Sequence, residues 1–252
     1  MIKEEQDVCD VLILGGGTAG VIAAIQAARL GAKTVLIEMT SQLGGTITNA
    51  GVCAPTSFFA GERQVIAGIG WELICATRKL GEPALRNSPL IDYKVYHLLA
   101  EEMCLETGVE IHYHENLTDL NYENSGWIAK STGNMVERTI RAKEVIDCSG
   151  EAVAVRLAGG QCVKPEECQP GTLEFNFTGF DIDKIDAELL EEEYKRAIDD
   201  GILQREDFCY TDQPFINYLK NGGGGSFVHM GSAGHMYYPP KDGLSVIPKA
   251  AN

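Results

Sequence analysis

The chain has no apolar signal core at its N-terminus, which reads MIKEEQDVCD, so a secretory leader is not expected. No apolar run is long and unbroken enough to span a bilayer, and no membrane partner is expected either. Positive charge is scarce: 21 Lys and Arg stand against 36 Asp and Glu, for a formal net charge of -15. No basic patch interrupts that excess. Such a chain repels a phosphate backbone, which excludes nucleic acid as a partner and leaves the acidity as a solvated surface. Eight cysteines are present (Cys9, Cys53, Cys75, Cys104, Cys148, Cys162, Cys168 and Cys209), but none forms a C-x-x-C pair or a paired metal spacing. Cys162 and Cys168 flank VKPEE, a weak disulfide or metal signal. Without a secretion signal all eight read as reduced thiols, mostly buried, in a cytoplasmic protein that holds no metal.

What is present is ordinary globular material. The 252 residues are 44% hydrophobic and 23% charged, enough for one large domain or two small ones. Glycine is abundant at 28 residues, which points to turns and close backbone approaches. The densest signal is LILGGGTAG, residues 12–20. Val11-Leu12-Ile13-Leu14 reads as a parallel strand buried on both faces. VIAAIQAARL follows as an Ala-rich helix closed by Gly31, and TVLIE, 34–38, as a second strand. In this β-α-β unit Gly15 permits a tight turn, Gly17 lets a pyrophosphate approach the backbone, and Gly20 lets the helix pack on the strand. The helix N-terminus offers unpaired N–H groups and partial positive charge to phosphates. Glu38, 18 positions after Gly20, can accept hydrogen bonds from ribose hydroxyls and would repel a 2′-phosphate, which disfavours NADP.

The choice between NAD and FAD turns on SQLGGTITNAG. It places Gly44-Gly45 just past the second strand, where a simple NAD domain needs no second glycine pair. With fingerprint, acid and Gly-Gly in this order, the chain resembles the glutathione-reductase-type FAD-binding fold. More narrowly, it is similar to the FAD-dependent oxidoreductases related to succinate dehydrogenase and fumarate reductase flavoproteins. The resemblance implies that Gly45 and Thr46 sit by the pyrophosphate and that Thr48 to Gly51 run toward the flavin.

Helical spacing recurs in 65–81 and 92–108; in the second, Val95, Leu98, Leu99 and Met103 line one face and Gly108 closes it. VEIHYH, 109–114, alternates as a strand. GWIAKST and MVERTIRAKEVIDCSG are further extended stretches, separated by the turns NYENSG and TGN. The resemblance implies this succession. It places Asn116 and Leu117 where backbone recognises adenine, and Cys148-Ser149-Gly150 at a strand end lining the adenosine side. Family members often have Asp where Glu151 stands. His112 and His114, at i, i+2, could pair as metal ligands but lack a third ligand nearby in sequence, and read as solvent-facing. His97 sits on the polar side of a helix without an assigned task.

TLEFNFTGFD, 172–181, alternates as a strand. IDAELLEEEYKRAIDDG is an amphipathic helix with Leu189, Leu190, Tyr194, Ala197 and Ile198 inward. NGGGGSFVHMGSAGHMYYPP, 221–240, reads as a loop in which His229 and His235 are either proton donors or incidental. Cys53 lies where the resemblance places the flavin; it is either a redox thiol or a small core residue. Relatives run longer and return to the sheet with another glycine-rich motif, absent from GLSVIPKAAN at the C-terminus.

The expectations are therefore an α/β protein: a Rossmann-like FAD/NAD(P)-binding domain over 1–165, with a parallel sheet and a small antiparallel meander, and part of an α+β substrate domain over 166–252. It binds FAD through Gly15, Gly17, Thr18, Ala19, Gly20, Glu38, Met39, Gly44, Gly45, Thr46, Leu117, Ser149 and Gly150. It acts on a small-molecule substrate, with either a second copy or a chain carrying the missing segment as partner. The alternative is an incomplete FAD- or ADP-binding module.

Overall fold

The computed structural model describes residues 2–52, 55, 57–79, 91–163, 171–178, 184, 186–202 and 230–238. The chain divides into two units, Met1–Val163 and Lys164–Asn252. The first unit runs β1 (Lys3–Leu14), α1 (Thr18–Arg29), β2 (Thr34–Glu38), α2 (Thr46–Asn49), β3 (Phe59–Ala60), β4 (Arg63–Gln64), α3 (Ile69–Lys79), α4 (Tyr93–Glu106), β5 (Glu110–Tyr113), β6 (Asn116–Glu123), β7 (Gly126–Gly133), β8 (Val136–Asp147) and α5 (Val153–Leu157).

Six strands form one sheet in the order β5-β2-β1-β8-β7-β6. The first four are parallel to one another, and β8, β7 and β6 form an antiparallel meander. β1 serves both layers. Its C-terminal half, Val11–Leu14, pairs with Thr34–Ile37, while β8 follows it from Lys3 to Leu14. β5 and β6 are opposite edges of the sheet, yet only two residues join them, so the sheet curls to bring the end of β5 to the start of β6. The Glu115 amide donates to the Glu38 carbonyl at 3.1 Å and the His114 amide to that of Thr40 at 3.2 Å, anchoring this connection to the end of β2.

The curl buries one apolar cluster, including Leu12, Leu14, Val35, Ile37, Leu117, Leu120, Ala129 and Ile140. The next residues along the parallel strands, Ile13 and Leu36, point to the opposite face. They pack there with Val21 and Ile25 of α1, Leu73 of α3, and Tyr96 and Ala100 of α4. Alternating strand residues feed both cores, which is why β1 and β2 read as continuous apolar runs.

Several expectations need correction. β1 begins eight residues earlier than Val11. β6 continues through Glu123, and the turn narrows to Asn124-Ser125, with φ 51° and 66°, a two-residue hairpin of the primed type. On α4 the buried line is Tyr96, Ala100 and Cys104, with Leu99 and Met103 packed beside it, and Leu98 is 60% exposed. At about 100° per residue, Leu98 lies on the far side from Tyr96.

In the second unit β9 (Gly171–Thr178) pairs antiparallel with β10 (Met230–Tyr238), and α6 (Ala187–Asp199) is capped by the Asp186 carboxylate. Residues 230–238 are thus strand rather than loop. On α6, Tyr194, Ala197 and Ile198 are half-buried, whereas Leu189, expected inward, is exposed.

Candidate dinucleotide site

The turn from β1 into α1 is held by three different constraints. Gly15 has φ +92°, and a Cβ there would lie 2.6 Å from the Cys148 carbonyl oxygen. A Cβ on Gly20 would lie 1.8 Å from the Gly15 carbonyl oxygen. Both glycines are demanded by packing. Gly17 is different: a Cβ there meets only the Gly45 Cα at 3.8 Å, an ordinary contact. Its φ of -64° suits any residue. Folding does not require glycine at 17, and the bare backbone there leaves room for a group to approach it closely. Gly17 is also the N-cap of α1 and places no side chain over the first amides, leaving those of Thr18, Ala19 and Gly20 for an anion.

The second glycine pair lies against the first. The Gly44 amide donates to the Gly16 carbonyl at 2.8 Å, and the Thr18 hydroxyl reaches the Gly44 carbonyl at 3.4 Å. Gly45, at φ +58°, would place a Cβ 2.8 Å from the Gly17 Cα. Thr46, exposed, opens α2 beside this contact. Thr48 is buried and donates to the Leu43 carbonyl at 2.8 Å, so it braces the loop.

Glu38, 6% exposed, ends β2 under this loop. Its Oε2 accepts from the Gly16 amide at 2.6 Å; its Oε1 accepts from the Thr40 amide and hydroxyl, each at 2.7 Å. The carboxylate is thereby locked against the glycine turn; Oε1 has both lone pairs occupied by Thr40, and Oε2 retains one for a further donor. Met39 beside it is 65% exposed. The Glu115 amide bonded to the Glu38 carbonyl starts the run to Leu117, whose side chain is buried while its backbone ends the register before the β6 irregularity.

The fourth segment is the end of β8. Cys148 donates its amide to the Leu14 carbonyl at 2.8 Å, bringing Cys148 and Ser149 against the Gly15 turn, with Gly150 next in the chain. Asp147, which sequence reasoning passed over, organises this end. It accepts from the Ser149 hydroxyl at 2.6 Å, the Ser149 amide at 3.0 Å and the Val155 amide at 3.1 Å. Burial pushes its pKa up, but hydrogen bonds from Ser149, Val155 and Ala154 outweigh that and hold it below the ordinary value. A carboxyl depressed in this way stabilises the fold above its ordinary value and loses that contribution as pH falls through the folded one. Asp147→Asn, which keeps an acceptor but no charge, is expected to lower stability at pH 7 by about 1–2 kcal/mol and by less near pH 3. Urea melts at the two pH values check this.

The four predicted segments therefore converge: 15–20, 38–39, 44–46 and 149–150, with 115–117 joined to Glu38. Gly16 was missed as a constrained position; a Cβ there would lie 2.5 Å from Leu43 Cδ2. Among the described residues five cysteines are free thiols, and only Cys9 and Cys104 are fully buried. Burial raises Cys9 to about 11 and Cys104 to about 12, so both are inert. His112 is not solvent-facing: its side chain is 13% exposed. His114 is exposed and lies beyond β5, so the two are not a pair on one strand. Cys53 and His229 lie outside the described residues, and His235 falls within β10.

Comparison with known proteins identifies the family. The family described as FAD dependent oxidoreductase matches residues 10–220. The chain is 26% identical over 160 residues to mitochondrial dihydrolipoyl dehydrogenase of Schizosaccharomyces pombe, covering 62% of this chain and 29% of that protein. It is 26% identical over 146 residues to the soluble pyridine nucleotide transhydrogenase of Pseudomonas putida, covering 56% and 30%. Against mitochondrial dihydrolipoyl dehydrogenase of Caenorhabditis elegans it is 51% identical over 47 residues, covering 19% and 9%. The chain thus spans less than a third of the length of these relatives. Its fold is similar to that of a geranylgeranyl bacteriochlorophyll reductase-like protein from Thermoplasma acidophilum, with TM-score 0.52 and 18% identity over 72% of this chain and 49% of that one. Among the described residues no helix is long and apolar enough to cross a membrane.

Proposed function

The chain belongs to the FAD dependent oxidoreductase family, whose cofactor is FAD, and we propose that its first unit binds FAD non-covalently for electron transfer from a small-molecule substrate. The observation that carries the reading is Gly17, a position where glycine serves neither packing nor backbone strain. The amides of Thr18, Ala19 and Gly20 hold the pyrophosphate, with Gly45 and Thr46 covering it. Glu38, beside Met39, takes a ribose hydroxyl at its Oε2. Leu117 offers backbone to adenine, and Ser149 and Gly150 line the adenosine side. When bound, FAD supplies hydride acceptance at its ring and passes electrons on; the chain supplies position and electrostatics.

We place the family relationship more narrowly, in the glutathione-reductase-type fold near succinate dehydrogenase and fumarate reductase flavoproteins. The order of fingerprint, acid and Gly-Gly supports this. A cytoplasmic setting, and either a second copy or a further chain as partner, belong to the same proposal. A second reading is favoured by the greater length of the relatives: an FAD- or ADP-binding module that turns over only with additional chain.

The test is an absorbance spectrum of the purified protein before and after FAD and then dithionite. Flavin bands that co-elute with the protein and bleach on reduction are expected. Folded protein that takes up no flavin would overturn FAD binding. Bound, reducible flavin without turnover in a substrate screen would favour the second reading.

A further inference from the structure

We propose that Asp7, Glu110 and His112 form a divalent transition-metal site on the inner side of the curled sheet, sharing no residue with the dinucleotide site. Asp7 lies on the N-terminal half of β1, and Glu110 and His112 on β5; the curl brings them together. Their ligand atoms all lie within 4.8 Å of one another. His112 Nε2 is 3.4 Å from Asp7 Oδ2 and 3.3 Å from Glu110 Oε1. Nε2 is buried and has no hydrogen-bond partner, so neither carboxylate takes a hydrogen bond from it.

Those distances suit a shared cation. Ligands bound at about 2.0–2.1 Å around a tetrahedral metal lie about 3.3–3.4 Å apart. With only a lone pair on Nε2, three acceptors would face one another across a largely enclosed space. The local charge adds to this. Glu5, Asp7, Glu110 and Glu115 line the region, and the Arg138 guanidinium is already divided among three of them. Its Nη2 contacts Glu115 Oε1 at 3.0 Å, and its Nη1 contacts Glu5 Oε2 at 2.6 Å and Asp7 Oδ2 at 2.7 Å. Lys3 pairs with Glu5. Glu110 is left facing His112.

One imidazole with two carboxylates suits zinc, cobalt or manganese better than magnesium or calcium. Arg138 holds one lone pair of Asp7 Oδ2 and orients that carboxylate, as partners of metal ligands commonly do. Glu110 has a side-chain exposure of 48%, so the site opens to water on its side, where a fourth ligand would enter.

The competing occupant of the same geometry is a proton on His112, and Co2+ separates the two. Chelator-treated full-length protein is titrated with Co2+ alone, and bound metal and the visible spectrum are read. One equivalent is expected, with d–d bands and no near-ultraviolet thiolate charge transfer. His112→Ala and Glu110→Gln, each checked for fold by circular dichroism, should each weaken binding about 100-fold. If His112→Ala does not fold, the half-exposed Glu110→Gln decides. Absence of saturable binding, a thiolate band, or parent-like affinity in a folded variant would overturn the site.

Discussion

Gly17→Ala is expected to weaken FAD binding at least about 100-fold while leaving the apo-protein folded. The backbone at 17 has φ -64° and ψ 178°, which alanine adopts without strain. The added methyl meets nothing in the protein closer than 3.8 Å. Alanine is a poorer N-cap than glycine, so the expected fold cost is at most about 1 kcal/mol. The same methyl stands where, in the proposed site, the first-turn amides approach a pyrophosphate. FAD affinity should fall at least about 100-fold, equivalent to about 3 kcal/mol. Gly20→Ala sets the contrast. Its Cβ would lie 1.8 Å from a backbone oxygen, which no rotamer relieves, so α1 must move off β1. A loss of about 3 kcal/mol is expected before any cofactor is added. Thermal melts of both apo variants, with flavin fluorescence quenching titrations, separate the effects. Unchanged FAD affinity in folded Gly17→Ala would show that phosphates do not approach this turn.

That contrast also marks how far the sequence could be read. Three glycines between an apolar run and an Ala-rich helix announce themselves, because each signal is local: strand period, turn residues, helix period. β2 matched its expected bounds for the same reason. The division of labour among the glycines was not local. Gly15 and Gly20 answer to packing against one another and Cys148; Gly17 does not. Asp147 was hidden because its partners, Ser149, Val155 and Ala154, acquire meaning only once the chain turns after β8. The largest gap was the first half of β1. Lys3–Asp10 has the composition of a solvated leader, and Glu5 and Asp7 gave no sign of facing inward. They do so because an arginine 131 positions after Asp7 in sequence meets them there. The same long-range closure made His112, which looked like a surface residue, part of an enclosed cluster. Alternation of charge along a strand carries no label for which face the fold will cover.

Arg138 therefore carries the second large expectation. Its side chain is 7% exposed, and that of Glu115 is 6%. Burial opposes the guanidinium charge, but hydrogen bonds to Glu115 and Asp7 outweigh it and hold the group above its ordinary value. Glu115 receives Nε and Nη2 together and also the Ser131 hydroxyl at 2.6 Å. Arg138→Ala leaves a buried carboxylate with a single neutral donor and releases Asp7 and Glu5 beside it. Breaking a buried pair from one side costs about 3–5 kcal/mol, more than the pair itself contributes, because the remaining charge stays uncompensated. Arg138→Lys should recover only part of this, since a point charge cannot form the fork to Glu115 and still reach Asp7. Hydrogen bonding to Lys3, with Arg138 beside it, holds Glu5 below its ordinary value, so the part of the stability that rests on this pairing is lost as pH falls through the folded value and the gap between parent and Arg138→Ala should narrow. The damage should also reach the cofactor. Glu115 is bonded through its amide to Glu38 and leads directly to Leu117, so a loosened Glu115 frees the segment that we propose faces adenine. FAD affinity is expected to fall about tenfold in whatever fraction remains folded, with Gly17 untouched. Denaturant melts at two pH values and FAD titration of the folded variant measure both effects. A stability loss under about 1 kcal/mol would mean that the network is solvated and not a buried clamp closing the sheet.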